Sequence, residues 1–239
     1  MLQFSNFNRV MEVDTISKNV LSSKNKMSRI ILSILLVALL MASNTQAQIT
    51  FGARVGFNLT NLYQKDEQGD MKGLDWKPGF QIGAVVDYPL LNDLSIQPGI
   101  LFATQGAKTE TKVSGHKAKA TINLHYIQVP INLQYKYDLN YIKLFAQAGP
   151  YIGYGIGGKL KTEISEGKTS VSNSSKIKFG RGDDADFNAF DFGFGLGAGL
   201  QFGNIQAVFG YNQGLVNLDT DVNAKNLGLC LTVTYLFRK

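Results

Sequence analysis

The sequence predicts an all-β fold: an eight-stranded antiparallel up-and-down transmembrane β-barrel, preceded by a cleavable signal peptide. Three observations predict it. Apolar residues recur at every second position in eight separate segments. The connections between those segments alternate between short and long. The face opposite the apolar one is built from glycine and polar side chains.

The chain has 239 residues, 44% hydrophobic and 18% charged, which excludes a disordered, highly charged polypeptide. Its 25 glycines show no three-residue period, which excludes collagen. One cysteine and two histidines exclude a disulfide framework and a Cys/His zinc module. No cofactor or metal site is expected.

The amino terminus carries an address. Ile30 to Met41 is apolar except for Ser33, and twelve helical residues cover about 18 Å, short of the ~30 Å hydrocarbon core. Lys24, Lys26 and Arg29 precede the run, and Ala42, Ser43, Thr45 and Ala47 follow it. This is the layout of a signal peptide over 27–47, cleaved after Ala47, with 1–26 an unstructured or wrongly assigned extension. Residues 48–239 then form the barrel domain. Removal of 1–47 takes away five basic and two acidic residues, leaving 19 against 16. So even a balance gives no argument for nucleic acid.

The strands follow in order. Ile49, Phe51, Ala53, Val55, Phe57 and Leu59 alternate with small or polar residues, then Phe80, Ile82, Ala84, Val86 and Tyr88, then Leu94, Ile96, Pro98, Ile100 and Phe102. A fourth strand covers about 121–137, where the apolar parity changes between Tyr126 and Ile127, and a bulge is expected there. The fifth carries Ile142, Leu144, Ala146, Ala148 and Ile152, and the sixth runs from Phe190 to Phe202. The seventh has Ile205, Ala207, Phe209 and Tyr211, and the eighth runs from Leu227 to Phe237. Short links follow strands two, four and six, whereas long polar links lie at about 61–75, 106–120, 157–188 and 216–225. Outer-membrane barrels sort their connections in this way.

The orientation follows from size. An eight-stranded barrel has an interior only just wide enough for side chains, so the face of Gly193, Gly195, Gly197 and Gly199 belongs inside and Phe, Leu and Ile belong in lipid. Tyr63, Trp76, Tyr88, Tyr137, Tyr141, Tyr211 and Tyr235 near strand ends suit aromatic girdles. In the long links, KTETKVSGHKAKA and KLKTEISEGKTSVSNSSKIK alternate as strands continuing past the membrane in twisted hairpins.

The segments FGARVGFNLTNL (51–62), LHYIQVPINLQYKY (124–137), LFAQAGPYIGYGIGG (144–158), FDFGFGLGAGLQFG (190–203) and LGLCLTVTYLF (227–237) resemble the Bacteroidetes outer-membrane β-barrel domain group labelled PorT-like. The resemblance covers essentially the whole mature chain. It implies an eight-stranded barrel in a Gram-negative outer membrane and, through the member that named the group, a link to protein export. Its motifs are structural and carry no catalytic or ligand residues across.

Candidate sites are few. The G-x-G-x-x-G of Gly153, Gly155 and Gly158 lacks the following helix that a dinucleotide site needs and belongs to the glycine stripe. Arg181-Gly182-Asp183, with Asp184 and Asp186, is expected in a solvated loop. His125 is placed on the lumen side as a hydrogen-bonding residue; an esterase of the lipid A deacylase kind would need a nucleophilic serine beside it, and Ser95 lies near the periplasmic end. Cys230 is expected to pack in the lumen without a partner. Arg54, Asp87, Lys143 and Asp191 share the glycine face and must be paired there. They are expected to form one plugging network with Asn58, Gln81, Gln97, Gln147 and Gln201. Lys108, Lys112, Lys117 and Lys119 leave the second long loop basic, suited to lipopolysaccharide phosphates.

The expected function is that of a non-enzymatic, monomeric outer-membrane barrel without an open pore, acting structurally or by interaction through its external loops. Outer-membrane lipid or lipopolysaccharide, and envelope proteins, are the expected partners. A component of an export machine and a lipid-modifying enzyme are the alternatives.

Overall fold

The computed structural model describes residues 49–65, 71–113, 116–166, 169–180, 186–218 and 224–237. The expected extension 1–26, the signal segment 27–47 and the Arg181-Gly182-Asp183 tripeptide lie outside the described residues. The barrel strands are β1 (Thr50–Lys65), β2 (Lys77–Pro89), β3 (Leu94–Val113), β4 (His116–Asp138), β5 (Lys143–Glu166), β6 (Phe190–Phe202), β7 (Ile205–Gly214) and β8 (Ala224–Leu236). Each pairs antiparallel with its sequence neighbour, and β1 closes the ring on β8 from Gly52↔Leu236 to Gln64↔Ala224. Closure matters because hydrocarbon offers no hydrogen bonds to a free strand edge.

Burial is inverted relative to a water-soluble barrel. Phe51, Phe57, Phe194, Phe209, Leu231 and Tyr235 stand exposed on the outside, Phe51 at 63% and Phe209 at 59%. Arg54, Gln97, Gln134, Asp191 and Gln206 are buried inside. The glycine stripe of β6 has a steric purpose. A Cβ on Gly193 would lie 2.5 Å from the Tyr151 ring, and one on Gly199 would lie 2.6 Å from the Phe145 ring. Both glycines sit directly opposite those aromatics on β5. The missing side chains leave room for two rings against the inner wall, within the narrow interior that eight strands allow.

One expectation about parity is corrected. β4 keeps one parity throughout: Leu124, Tyr126, Asn132, Gln134 and Lys136 all face inward, and its pairing with β3 shows no register shift. The pattern changes at Tyr126/Ile127 because the interior itself changes from polar to apolar there. The irregularity lies in the β4–β5 pairing, at His125/Tyr126, and the extra residue is on β5. Ile156 and Gly157 follow each other there with His125 opposite Gly157 and Tyr126 opposite Gly155, which is a bulge. Beyond it the inward and outward positions of β5 exchange.

The long links are largely strand. β3 and β4 stay paired out to Val113↔His116, and β5 continues into a hairpin with Thr169–Ile177. Together they make a four-stranded sheet beyond the barrel rim. The mouth beneath it is closed by apolar side chains: Leu62, Ala107, Leu124, Tyr126, Ile177 and Leu218 form one buried cluster, with Phe179 and Phe187 against it. Of the expected girdle, Trp76, Tyr137, Tyr141, Tyr211 and Tyr235 are exposed, but Tyr63 is buried and its hydroxyl accepts from Gln213 Nε2 at 2.9 Å.

Leu231 lies between Phe57 and Phe209 on the outer face. Leu231→Arg is expected to destabilise the folded barrel in lipid vesicles by about 2–4 kcal/mol, read by urea unfolding. Gly199→Leu, which must displace Phe145, is expected to cost about 1–3 kcal/mol in the same assay.

Candidate functional site

The lumen is filled in layers. Nearest the short turns, Lys136 Nζ sits 2.8 and 3.0 Å from the two carboxylate oxygens of Asp87, and both side chains are buried. Lys136 stands where Lys143 was expected. Lys143 is at the Asp138–Lys143 turn, half exposed, and pairs with Asp138 at 2.7 Å. Its position is the first residue of β5, past the end of the enclosed lumen. That ammonium and the Asn140 backbone N–H hold the Asp138 carboxyl below its usual range, so this exposed contact fades as pH falls through the carboxylate range.

Above the Lys136–Asp87 pair lies a glutamine cluster. The Arg54 guanidinium donates to Gln97 Oε1 and, through Nε, to Thr234 Oγ1 at 2.9 Å. Gln134 Nε2 donates to Gln97 Oε1 at 2.9 Å and to Gln147 Oε1 at 3.0 Å. Gln97 Nε2 donates to Gln206 Oε1 at 3.1 Å, and Gln206 Nε2 to Gln201 Oε1 at 3.0 Å. Each amide supplies both a donor and an acceptor, so a ring of them can satisfy itself without water. Among the described residues no carboxylate lies within ion-pair distance of Arg54; its charge is held by amide and hydroxyl oxygens.

Next comes a polar cavity of about 40 Å³, lined by Arg54, Gln81, Gln128, Gln147, Asn212 and Cys230 among others. That is room for a few water molecules. Cys230 does have a partner: Asn212 Nδ2 lies 3.7 Å from its sulfur. Asp191 belongs to a separate cluster. It accepts from Tyr151 OH at 3.2 Å and from Asn226 Nδ2 at 2.9 Å. Asn58, Gln105 and Asn226 line a second cavity of about 20 Å³, each presenting a buried side-chain oxygen without a partner. The expected single plug is therefore divided: Asp87 pairs with Lys136, Arg54 joins Gln97, Gln147 and Gln201, Asp191 forms a third group with Tyr151 and Asn226, and Lys143 lies outside the lumen.

Gln134, Lys136 and Gln206 escaped the sequence analysis. The first two sit in INLQYKYD, whose strict alternation marks them as inward, although neither is singled out there. Gln206 is the second residue of β7, beside a tight turn in which Gly203 has φ 53°.

His125 is on the outer wall, contrary to expectation. Its ring stacks on Phe102, centroids 5.8 Å apart and planes 19° off parallel, and its Nδ1 has no hydrogen-bond partner. The β4 register forces this, since odd positions of that strand face out. Ser95 is buried in the lumen near the short turns, seven residues along β3 from Phe102.

The lysines also fall on the outer side. Four residues share each same-face row of the sheet beyond the rim. Gly106, Asn123, Lys159 and Lys176 form the first row, and Lys108, Thr121, Lys161 and Ser174 the second. Glu110, Lys119, Glu163 and Ser172 form the third; Lys112 and Lys117 lead the fourth. Lys161 hydrogen-bonds Glu163 and holds that carboxyl below its usual range. The side chain of Lys112 lies outside what is described.

The family model described as outer membrane protein beta-barrel domain matches residues 41–220. No curated protein matches the chain in sequence. Among solved structures, Ail of Yersinia pestis, crystallised with the heparin analogue sucrose octasulfate, is 19% identical, covering 80% of this chain and 99% of its own, with a TM-score of 0.39. Neisserial surface protein A is 14% identical over 79% of this chain and 98% of its own, with a TM-score of 0.42. The outer membrane enzyme PagL is 14% identical over 74% of this chain and 98% of its own, with a TM-score of 0.40.

Removing the charge of Asp87 takes from Lys136 the carboxylate that it bonds through both oxygens inside the lumen. Asp87→Asn is expected to cost about 3–5 kcal/mol of barrel stability, and the double change Asp87→Leu/Lys136→Met far less. Equilibrium urea unfolding of the reconstituted barrel checks both.

Proposed function

The chain belongs to the outer membrane protein β-barrel domain family, and from that premise we propose a non-enzymatic, monomeric barrel that acts on outer-leaflet lipid through its extracellular sheet. The filled lumen carries this proposal. Salt bridge, glutamine cluster, Asp191 cluster and apolar cap follow one another along the axis, and the two polar cavities between them hold only about 40 and 20 Å³. A barrel with nothing to conduct offers its outer surface, and the varied chemistry of that surface is concentrated in the sheet beyond the rim. Export by the 27–47 signal segment and membership of the PorT-like Bacteroidetes group are part of the same proposal, supported by the residue patterns. Against a catalytic role stands the outward His125, stacked on Phe102, with no serine hydrogen-bonded to it among the described residues.

The purified full chain in planar bilayers is expected to show no stepwise conductance. A stable open channel in most insertions would overturn the sealed-barrel proposal. The same preparation, incubated with phospholipid and lipopolysaccharide, is expected to release no fatty acid by mass spectrometry. Release that disappears in His125→Ala would establish the lipid-modifying alternative. A stoichiometric envelope partner after mild cross-linking would point to export.

A further inference from the structure

We propose that the outer face of the extracellular sheet, formed by Lys108, Lys119, Lys159, Lys161 and Lys176, binds the phosphate groups of lipopolysaccharide in the outer leaflet. This rests on the preceding proposal that the sheet acts on lipid, and names the chemical group it takes.

Segregation is the first ground. Along the four strands the two rows next to the barrel hold four lysines, with Asp75 bridged to Lys108 at the flank of the second row; the acids Glu110 and Glu163 enter in the third. The reverse face carries Thr109, Ala118, Ala120, Thr162, Ile164 and Val171, with no charge in those rows. A hairpin that is merely solvated meets water on both faces and has no need to sort its charges. Position is the second ground. The lysine face continues the lipid-facing wall without a break, from Phe102, Ile127 and Tyr154 through His125 to Lys159. Same-face residues advance about 7 Å per row, so the first lysine row stands about 7 Å past His125. The polar headgroup layer occupies roughly that distance above the hydrocarbon.

Cross-strand repulsion is the third ground. Lys159 and Lys176 lie directly opposite each other on paired strands, both exposed, and the backbones of Lys112 and Lys117 are likewise paired. Like charges so placed destabilise a sheet. An anionic group between them turns the repulsion into two attractions, and a multiply charged phosphate cluster does so for several lysines together.

The test uses the refolded full chain in zwitterionic micelles, titrated with fluorescently labelled lipopolysaccharide and with the same lipid dephosphorylated. The phosphorylated form is expected to bind about tenfold or more tightly, weakening as salt rises from about 0.05 to about 0.5 M. Lys159→Gln/Lys176→Gln is expected to lose about tenfold, whereas Lys143→Gln/Lys225→Gln, which removes equal charge elsewhere, stays within about twofold. Faster gel migration of unboiled samples establishes that both variants are folded. If the first variant does not fold, the two lipid forms on the unaltered chain still decide. Equal affinity for both lipid forms, equal loss in both variants, or full displacement by inorganic phosphate would each overturn the assignment. A chain that binds no phosphorylated lipid yet neither conducts nor hydrolyses would sink this inference and leave the sealed-barrel proposal standing.

Discussion

Everything in this molecule descends from the need to pair every backbone N–H and C=O within a medium that offers no partners. With eight strands, pairing them all means closing β1 on β8, and closure at that number leaves an interior about one layer of side chains deep. The interior cannot hold bulk water, so its polar groups must satisfy one another. Gln97, Gln134, Gln147, Gln201 and Gln206 do so as amides that both give and accept. Glycine on β6 opposite Tyr151 and Phe145 is the other half of the same packing problem. Ring closure thus dictates the chemistry of both faces of the wall.

Much of the fold was legible in the sequence because a half-buried strand writes its environment at every second residue. The eight segments, the sorted connections and the oily outer face all follow from that period. Parity is also where legibility failed. In β4 the pattern LHYIQVPINL looks like a slip because Leu124 and Tyr126 face an apolar cap while Asn132 and Gln134 face a polar lumen. The side chains kept their direction and the surroundings changed. His125 was carried to the wrong face by that inference.

The lumen contacts were less legible for a different reason. Which inward residues meet depends on strand stagger around the ring, and periodicity carries no record of stagger. Arg54 and Gln97 are 43 residues apart, and Asp191 finds Asn226 at 35. The sequence marks all four as inward and cannot say that they form two clusters. Lys143 shows the same limit: its parity suits the lumen, but its place at a strand end puts it beyond the rim.

The bulge at Ile156 and Gly157 gives β5 two independent halves. Below it, odd residues such as Phe145 and Tyr151 line the interior; above it, Lys159 and Lys161 turn out while Leu160 turns in. Loss of one residue there would transpose the upper half, sending the ammonium groups toward the axis and the leucine outward, with every lower contact preserved. A single-codon deletion or insertion at that point would therefore re-aim the cell-exterior chemistry of a lineage while its transmembrane cylinder stayed unaltered.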